Sequence, residues 1–162
     1  MVLRAILMPR EDPDLTKAAL RLLRDAAPHA LAVGHVVIGE AFGGIHRDLP
    51  LVCEPHDCAS IEFSRLLQDE KVTVRTIDDP NSYHRFALDL HRLDKRLGAN
   101  DCLILSLALL DPGYDMLVTN DYTMAKSRDL TRLAQELGKE IRPLHLEDTQ
   151  RRRRRSYGGN RG

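Results

Sequence analysis

Residues 98–128, GANDCLILSLALLDPGYDMLVTNDYTMAKSR, set an apolar helix and an apolar strand in succession, each with an aspartate at one end. CLILSLALL, starting at Cys102, is long enough for a buried helix, and MLVTN has the length and branched side chains of a buried parallel strand. Such a strand is satisfied inside a sheet covered on both faces, so the chain is committed to helices packed on a parallel sheet. Ligands of open α/β sheets bind at the carboxyl ends of the strands. Asp121 follows its strand there, and Asp101 opens the helix. Two carboxylates at one rim point to a divalent metal.

The rest of the chain repeats the alternation. Residues 2 to 8, VLRAILM, form a short apolar run before the turn-rich PREDPD. Leu15 to Ala27 has helical spacing, HALAVG at 29 to 34 reads as a strand, and His35 to Ile45 as an apolar helix carrying Glu40. After a loop at 46 to 57, Ala59 to Glu70 is helical and KVTVRTID alternates like a strand. Asp79-Pro80-Asn81-Ser82 starts a helix expected to reach Leu97 and to close at Gly98. The strand at 116–120, one helix from Thr123 to Leu137 closed by Gly138, and a last strand at Glu140 to Leu144 complete the pattern. The expectation is an α/β fold in three layers, with a central, mainly parallel sheet flanked by helices, over residues 1–147.

Charge divides the chain. The formal net charge is zero, yet residues 151 to 162 hold six of the 24 Lys and Arg and no acid, which leaves the first 150 residues at −6. An acidic body thus carries a cationic tail, 148–162, of low complexity and expected disorder. Five consecutive arginines, Arg151, Arg152, Arg153, Arg154 and Arg155, suit phosphate contacts with RNA. Aromatics make up only 4% and tryptophan is absent, which argues against a base-stacking platform. Three cysteines without framework spacing argue against a secreted disulfide protein. No membrane span or signal peptide is legible, and the expected compartment is the cytoplasm.

Glu40, Asp101 and Asp121 share one property: each borders or interrupts a strongly apolar element. Converging carboxylates are costly to bury unless a cation neutralises them, and oxygen ligands favour Mg2+ or Mn2+. Each acid alone has an ordinary structural explanation. Asp101 would be a first-turn acid behind an Asn100 cap, Asp121 a turn or capping residue, and Glu40 a solvated helix position.

Taken together, in this order, the acids resemble those of the PIN-domain ribonuclease family. GANDCLILSLALL is similar to that family's helix beginning with a metal-binding aspartate, LVTND to its strand-end Thr-x-Asp motif, and LAVGHVVIGEAFGGIHR to its strand and glutamate-bearing helix. The resemblance covers about residues 2 to 145. It implies that Glu40, Asp101 and Asp121 hold Mg2+ or Mn2+, with Thr119 and Asn120 supporting, and that RNA phosphodiesters are hydrolysed to a 5′-phosphate and a 3′-hydroxyl. Lys126 and Arg128 are candidates for phosphate contact. Small members of the family are often toxins of toxin–antitoxin pairs, dimerise, and are inhibited by a small partner protein.

The start of the chain departs from that pattern. Family members open with a strand ending in an aspartate, whereas Met1 to Leu7 resembles the helix that follows it. One reading has the protein extending upstream of Met1. Another makes residues 2 to 8 the first strand, with Asp12 or Asp14 supplying the acid. A third is a degenerate, inactive domain that binds RNA or protein.

Other motifs carry less. Cys53, His56 and Cys58 lack the paired spacing of a structural zinc site. Cys102 lies on an apolar helix and reads as core. His35, His46, His84, His91 and His145 are scattered over different elements and support no triad, and no phosphate loop, nucleophile elbow or dinucleotide fingerprint is present.

Overall fold

The computed structural model describes residues 13–48, 61 and 63–144. The run at 2 to 8, Asp12, the Cys53–His56–Cys58 group, His145 and the tail with Arg151 to Arg155 lie outside these residues. In chain order the elements are α1 (Pro13–Asp25), β1 (Leu31–Gly34), α2 (His35–Asp48), α3 (63–68), β2 (Val72–Arg75), α4 (Pro80–Leu93), α5 (Ala99–Leu110), β3 (Met116–Thr119), α6 (Tyr122–Lys126), α7 (Arg128–Glu136) and β4 (Glu140–Pro143). The protein is mixed α/β with parallel strand pairing, as the alternation of apolar periods requires.

The strands form two parallel pairs. β1 pairs with β2, Leu31 opposite Val72, and β3 pairs with β4, Met116 opposite Glu140. Among the described residues no strand joins the pairs into one sheet. MLVT, which reads as a buried strand, is therefore only partly covered: Met116 is 40% exposed, Leu117 and Val118 are half-buried, and Thr119 alone is buried. The two pairs touch through long side chains. Arg75, at the end of β2, makes a 3.0 Å ion pair with Asp111 after α5, and Tyr114 Oη donates to His29 O across 3.4 Å.

The larger core lies under the second pair. Leu90 from α4, Leu105 and Leu109 from α5, Leu130 and Ala134 from α7, and Ile141 from β4 pack together with Leu97, Cys102 and Met124. Tyr83 Oη donates to Leu103 O at 2.7 Å and fastens α4 to α5. Burial pushes the Cys102 thiol up, so it behaves as core. A smaller cluster, Phe63 and Leu66 with Leu23, Val33, Val37 and Val72, holds the first pair.

α2 runs on to Asp48, past the expected end at Ile45, and two further helices depart from their expected lengths for one shared reason. α4 starts as expected, with Asp79 Oδ1 accepting from Asn81 N and Ser82 N at 3.0 and 3.3 Å, but it stops at Leu93 rather than Leu97. The expected single helix from Thr123 to Leu137 breaks at Ser127. Asp94, 7% exposed, accepts from Ser127 Oγ at 2.8 Å, from Arg96 N at 3.1 Å and from the Arg96 guanidinium at 2.6 Å. Ser127 caps α7 while holding Asp94. One buried bond, 33 residues apart in sequence, thus ends one helix and begins another. Gly98 caps the start of α5 rather than closing α4, whereas Gly138, at φ 70°, closes α7 as expected.

The Arg96 guanidinium, with the Ser127 hydroxyl and the Arg96 amide, outweighs burial and holds the Asp94 carboxyl far below the usual carboxylate range. Stability from this depressed group is complete above the unfolded value of about 4 and is lost as pH falls below it. Asp94→Asn should lose about 2 kcal/mol at neutral pH. It should also show a shallower loss of stability below pH ~4 than the parent, in urea unfolding followed across pH.

Candidate active site

The carboxyl ends of β1 and β3 lead into the segments that carry the predicted acids. β1 runs directly into α2, placing Glu40 in the second turn of that helix. β3 ends at Thr119, and Asp121 caps α6 two residues later, accepting from Met124 N at 2.9 Å. The buried Thr119 hydroxyl accepts the Asp121 N–H at 3.0 Å and faces Met124 Sδ at 3.8 Å. Thr119 therefore shapes the turn that aims Asp121. Asn120 is half-buried between them.

Asp101 sits in the first turn of α5. Its Oδ2 accepts the Gly98 N–H at 2.9 Å, the half of a capping box that a glycine cap permits. Asn100 is inside the helix rather than its cap, and its side chain reaches across to α2, where Nδ2 donates to Glu40 Oε1 at 2.7 Å. Asn100 is a site residue that sequence reasoning missed. Its adjacency to Asp101 was visible, but its partner lies 60 residues away.

Glu40, Asp101 and Asp121 line one cavity of about 720 Å³, together with Thr119. Burial raises the Asp101 carboxyl above its ordinary value, and the charges of Asp121 and Glu40 raise it further, against the Gly98 bond that lowers it. The charges of the other two acids thus bear on Asp101. Each also has one oxygen anchored, by Gly98, Met124 or Asn100, and the other oxygen without a hydrogen bond among the described residues. Three hard oxygen donors fit Mg2+ or Mn2+ by chemistry. They do not close around an ion: among the described residues no three His, Cys, Asp or Glu side chains converge to metal-holding distance.

Lys126, Arg128 and Asp14 do not line this cavity. Lys126 stacks on its own helix, with Nζ 3.1 Å from Tyr122 Oη and 4.3 Å from that ring's centre. Arg128 is exposed at the start of α7 without a hydrogen bond or ion pair among the described residues. Asp14 is the first-turn acid of α1. No helix among the described residues is long and apolar enough to cross a membrane.

Comparison with protein families, with characterised proteins and with solved structures found nothing that matches the chain.

Proposed function

We propose that this chain is a PIN-like, three-layer domain acting in the cytoplasm as a Mg2+- or Mn2+-dependent endoribonuclease. The observation that carries the reading is the meeting of Glu40, Asp101 and Asp121 in one cavity at the carboxyl ends of β1 and β3, with the Asp101 carboxyl raised by burial and by its two neighbours. Such unneutralised charge is what a divalent cation relieves.

Glu40, Asp101 and Asp121 would hold the ion, directly or through water. Bound there, Mg2+ or Mn2+ polarises a phosphodiester and lowers the pKa of an attacking water. The protein's share is orientation: Gly98 fixes Asp101, Thr119 and Met124 fix Asp121, and Asn100 fixes Glu40. The arginines at 151 to 155 would supply sequence-independent affinity for the RNA backbone. A toxin role with an antitoxin partner, and a homodimer, belong to this reading through the PIN resemblance.

The test is cleavage of a labelled RNA by the full chain in Mg2+ or Mn2+, with chelator as control and with end-group analysis for a 5′-phosphate. Loss of residues 151 to 162 should weaken RNA binding and reduce the log–log salt slope by about 3.5, at about 0.7 per phosphate contact on a single strand. Filter binding between 50 and 200 mM salt, chosen to span the usual range, reads that slope.

A second reading, a non-catalytic RNA- or protein-binding module, is favoured by one observation: the three acids stop short of metal-holding distance. Tail-dependent RNA binding without metal-dependent cleavage would select it.

A further inference from the structure

The short helix α6 turns two different faces to its surroundings. Met124 is buried on one, whereas Tyr122, 71% exposed, keeps more of its surface in water than any other large hydrophobic residue among those described. A ring left in solvent forgoes the gain that burial would return. Tyr122 directly follows Asp121, so their Cα atoms lie about 3.8 Å apart. Asp121 lines the acidic cavity, and Tyr122 stands outside it.

The ring is held in place. Lys126, one turn on, donates to Tyr122 Oη at 3.1 Å, with its Nζ 4.3 Å from the ring centre. An ammonium nearer the phenol oxygen than the centre stands at the outer end of the ring and leaves its faces open, in keeping with the exposure. Tyrosine has only two side-chain torsions to lose, so a restrained ring takes a ligand at small entropic cost. An exposed π-face and a cation fixed at its edge thus stand together beside one acid of the site. A nucleotide carries the matching pair, a flat base and an anionic phosphate one sugar away.

We infer that Tyr122 and Lys126 form a single-nucleotide subsite beside the acids, in which the Tyr122 ring stacks on the base of a nucleotide flanking the scissile phosphate and Lys126 pairs with that nucleotide's own phosphate. The inference rests on the RNA reading above and adds to it the residue that decides which bond is presented. Every base has a π-face, so one ring selects position along the strand more than sequence. Aromatics at 4% argue against a platform for several bases, and this subsite asks for one. The Lys126 ammonium needs no new rotamer family to serve, because it already stands at the edge where the phosphate would arrive.

The test compares two short strands of equal length, an oligoadenylate and a base-free ribose-phosphate chain, binding to the full chain in chelator. The arginines at 151 to 155 would hold both alike, so a difference between strands reads the subsite. Tyr122→Ala should weaken oligoadenylate about 10-fold and leave the base-free strand unchanged, while Tyr122→Phe, which keeps the ring, should stay within about 3-fold of the parent. Lys126→Ala should weaken both strands and lower the log–log salt slope by about 0.7. In Mg2+, with an oligoadenylate carrying one abasic nucleotide, the parent should cut the bond beside that nucleotide about 10-fold less than the others, and Tyr122→Ala should cut all bonds evenly. Equal affinity of parent and Tyr122→Ala for oligoadenylate, or an equal loss on both strands, overturns the inference. Cleavage indifferent to the abasic position also overturns it and leaves the nuclease reading standing. The expected binding pattern without any cleavage upholds the subsite as a nucleotide-binding pair and removes the nuclease reading.

Discussion

Asp101→Asn should reduce metal-dependent RNA cleavage by at least about 100-fold while leaving the fold intact, a loss at the upper end of what disturbing even an outer partner of a metal ligand produces. The amide oxygen can still accept the Gly98 N–H that Asp101 Oδ2 accepts at 2.9 Å, so the start of α5 keeps its cap. The same substitution should make the metal-free protein more stable. The Asp101 carboxyl is raised by burial and by the charges of Asp121 and Glu40, so its ionised form opposes folding as pH rises above the unfolded value of about 4. In chelator at neutral pH the variant should melt above the parent. Saturating Mg2+ should reverse the order, since a cation at 100 times its dissociation constant adds about 2.7 kcal/mol to the parent alone. Undiminished cleavage by the variant would end the nuclease reading, and a lower melting temperature in chelator would end the claim of electrostatic stress at the site.

Leu105→Ala should cost about 3 kcal/mol, a large loss typical of truncating a fully buried leucine. Leu105 is fully buried at the centre of α5, among side chains from α4, α7 and β4. Removing its branched end leaves a void walled by several elements, which cannot all move inward together. Leu110, on the same helix but 43% exposed, is the internal comparison, and its alanine variant should lie within about 0.5 kcal/mol of the parent. Urea unfolding with an unchanged slope and a lowered midpoint would register the difference as stability. Equal losses at the two positions would mean that α5 is not buried on the face described.

The order of elements was legible because it is written locally. The periods of apolar residues located β1, β3, β4 and α5 within a residue or two and β2 with an end three residues too late, and the Asp79-Pro80 and Gly138 signals marked real helix ends. The site was legible to the extent that it hangs on those elements: Asp121 follows β3, and Asp101 opens α5. What escaped depends on pairs distant in sequence. Nothing around Leu93 or Lys126 announces a helix end, since both breaks arise from Asp94 meeting Ser127. Nothing around Asn100 announces Glu40. The continuous sheet expected from buried-type strands is replaced, among the described residues, by two pairs, because a strand's apolar character declares that something must cover it and not what does.

The division of the interior into separate clusters, of which a third joins Leu15 and Ala19 of α1 to Leu144, gives the acidic site an unequal foundation. Asp101 and Asp121 stand on elements of the larger core, locked further by the Asp94–Ser127 joint, while Glu40 rides on α2, whose packing belongs to the smaller cluster. Local opening follows such packing units. The two aspartates would then remain registered through fluctuations that carry the glutamate away, with the Asn100–Glu40 bond, beside the His35–Tyr83 ring contact, as a latch between a fixed jaw and a moving one.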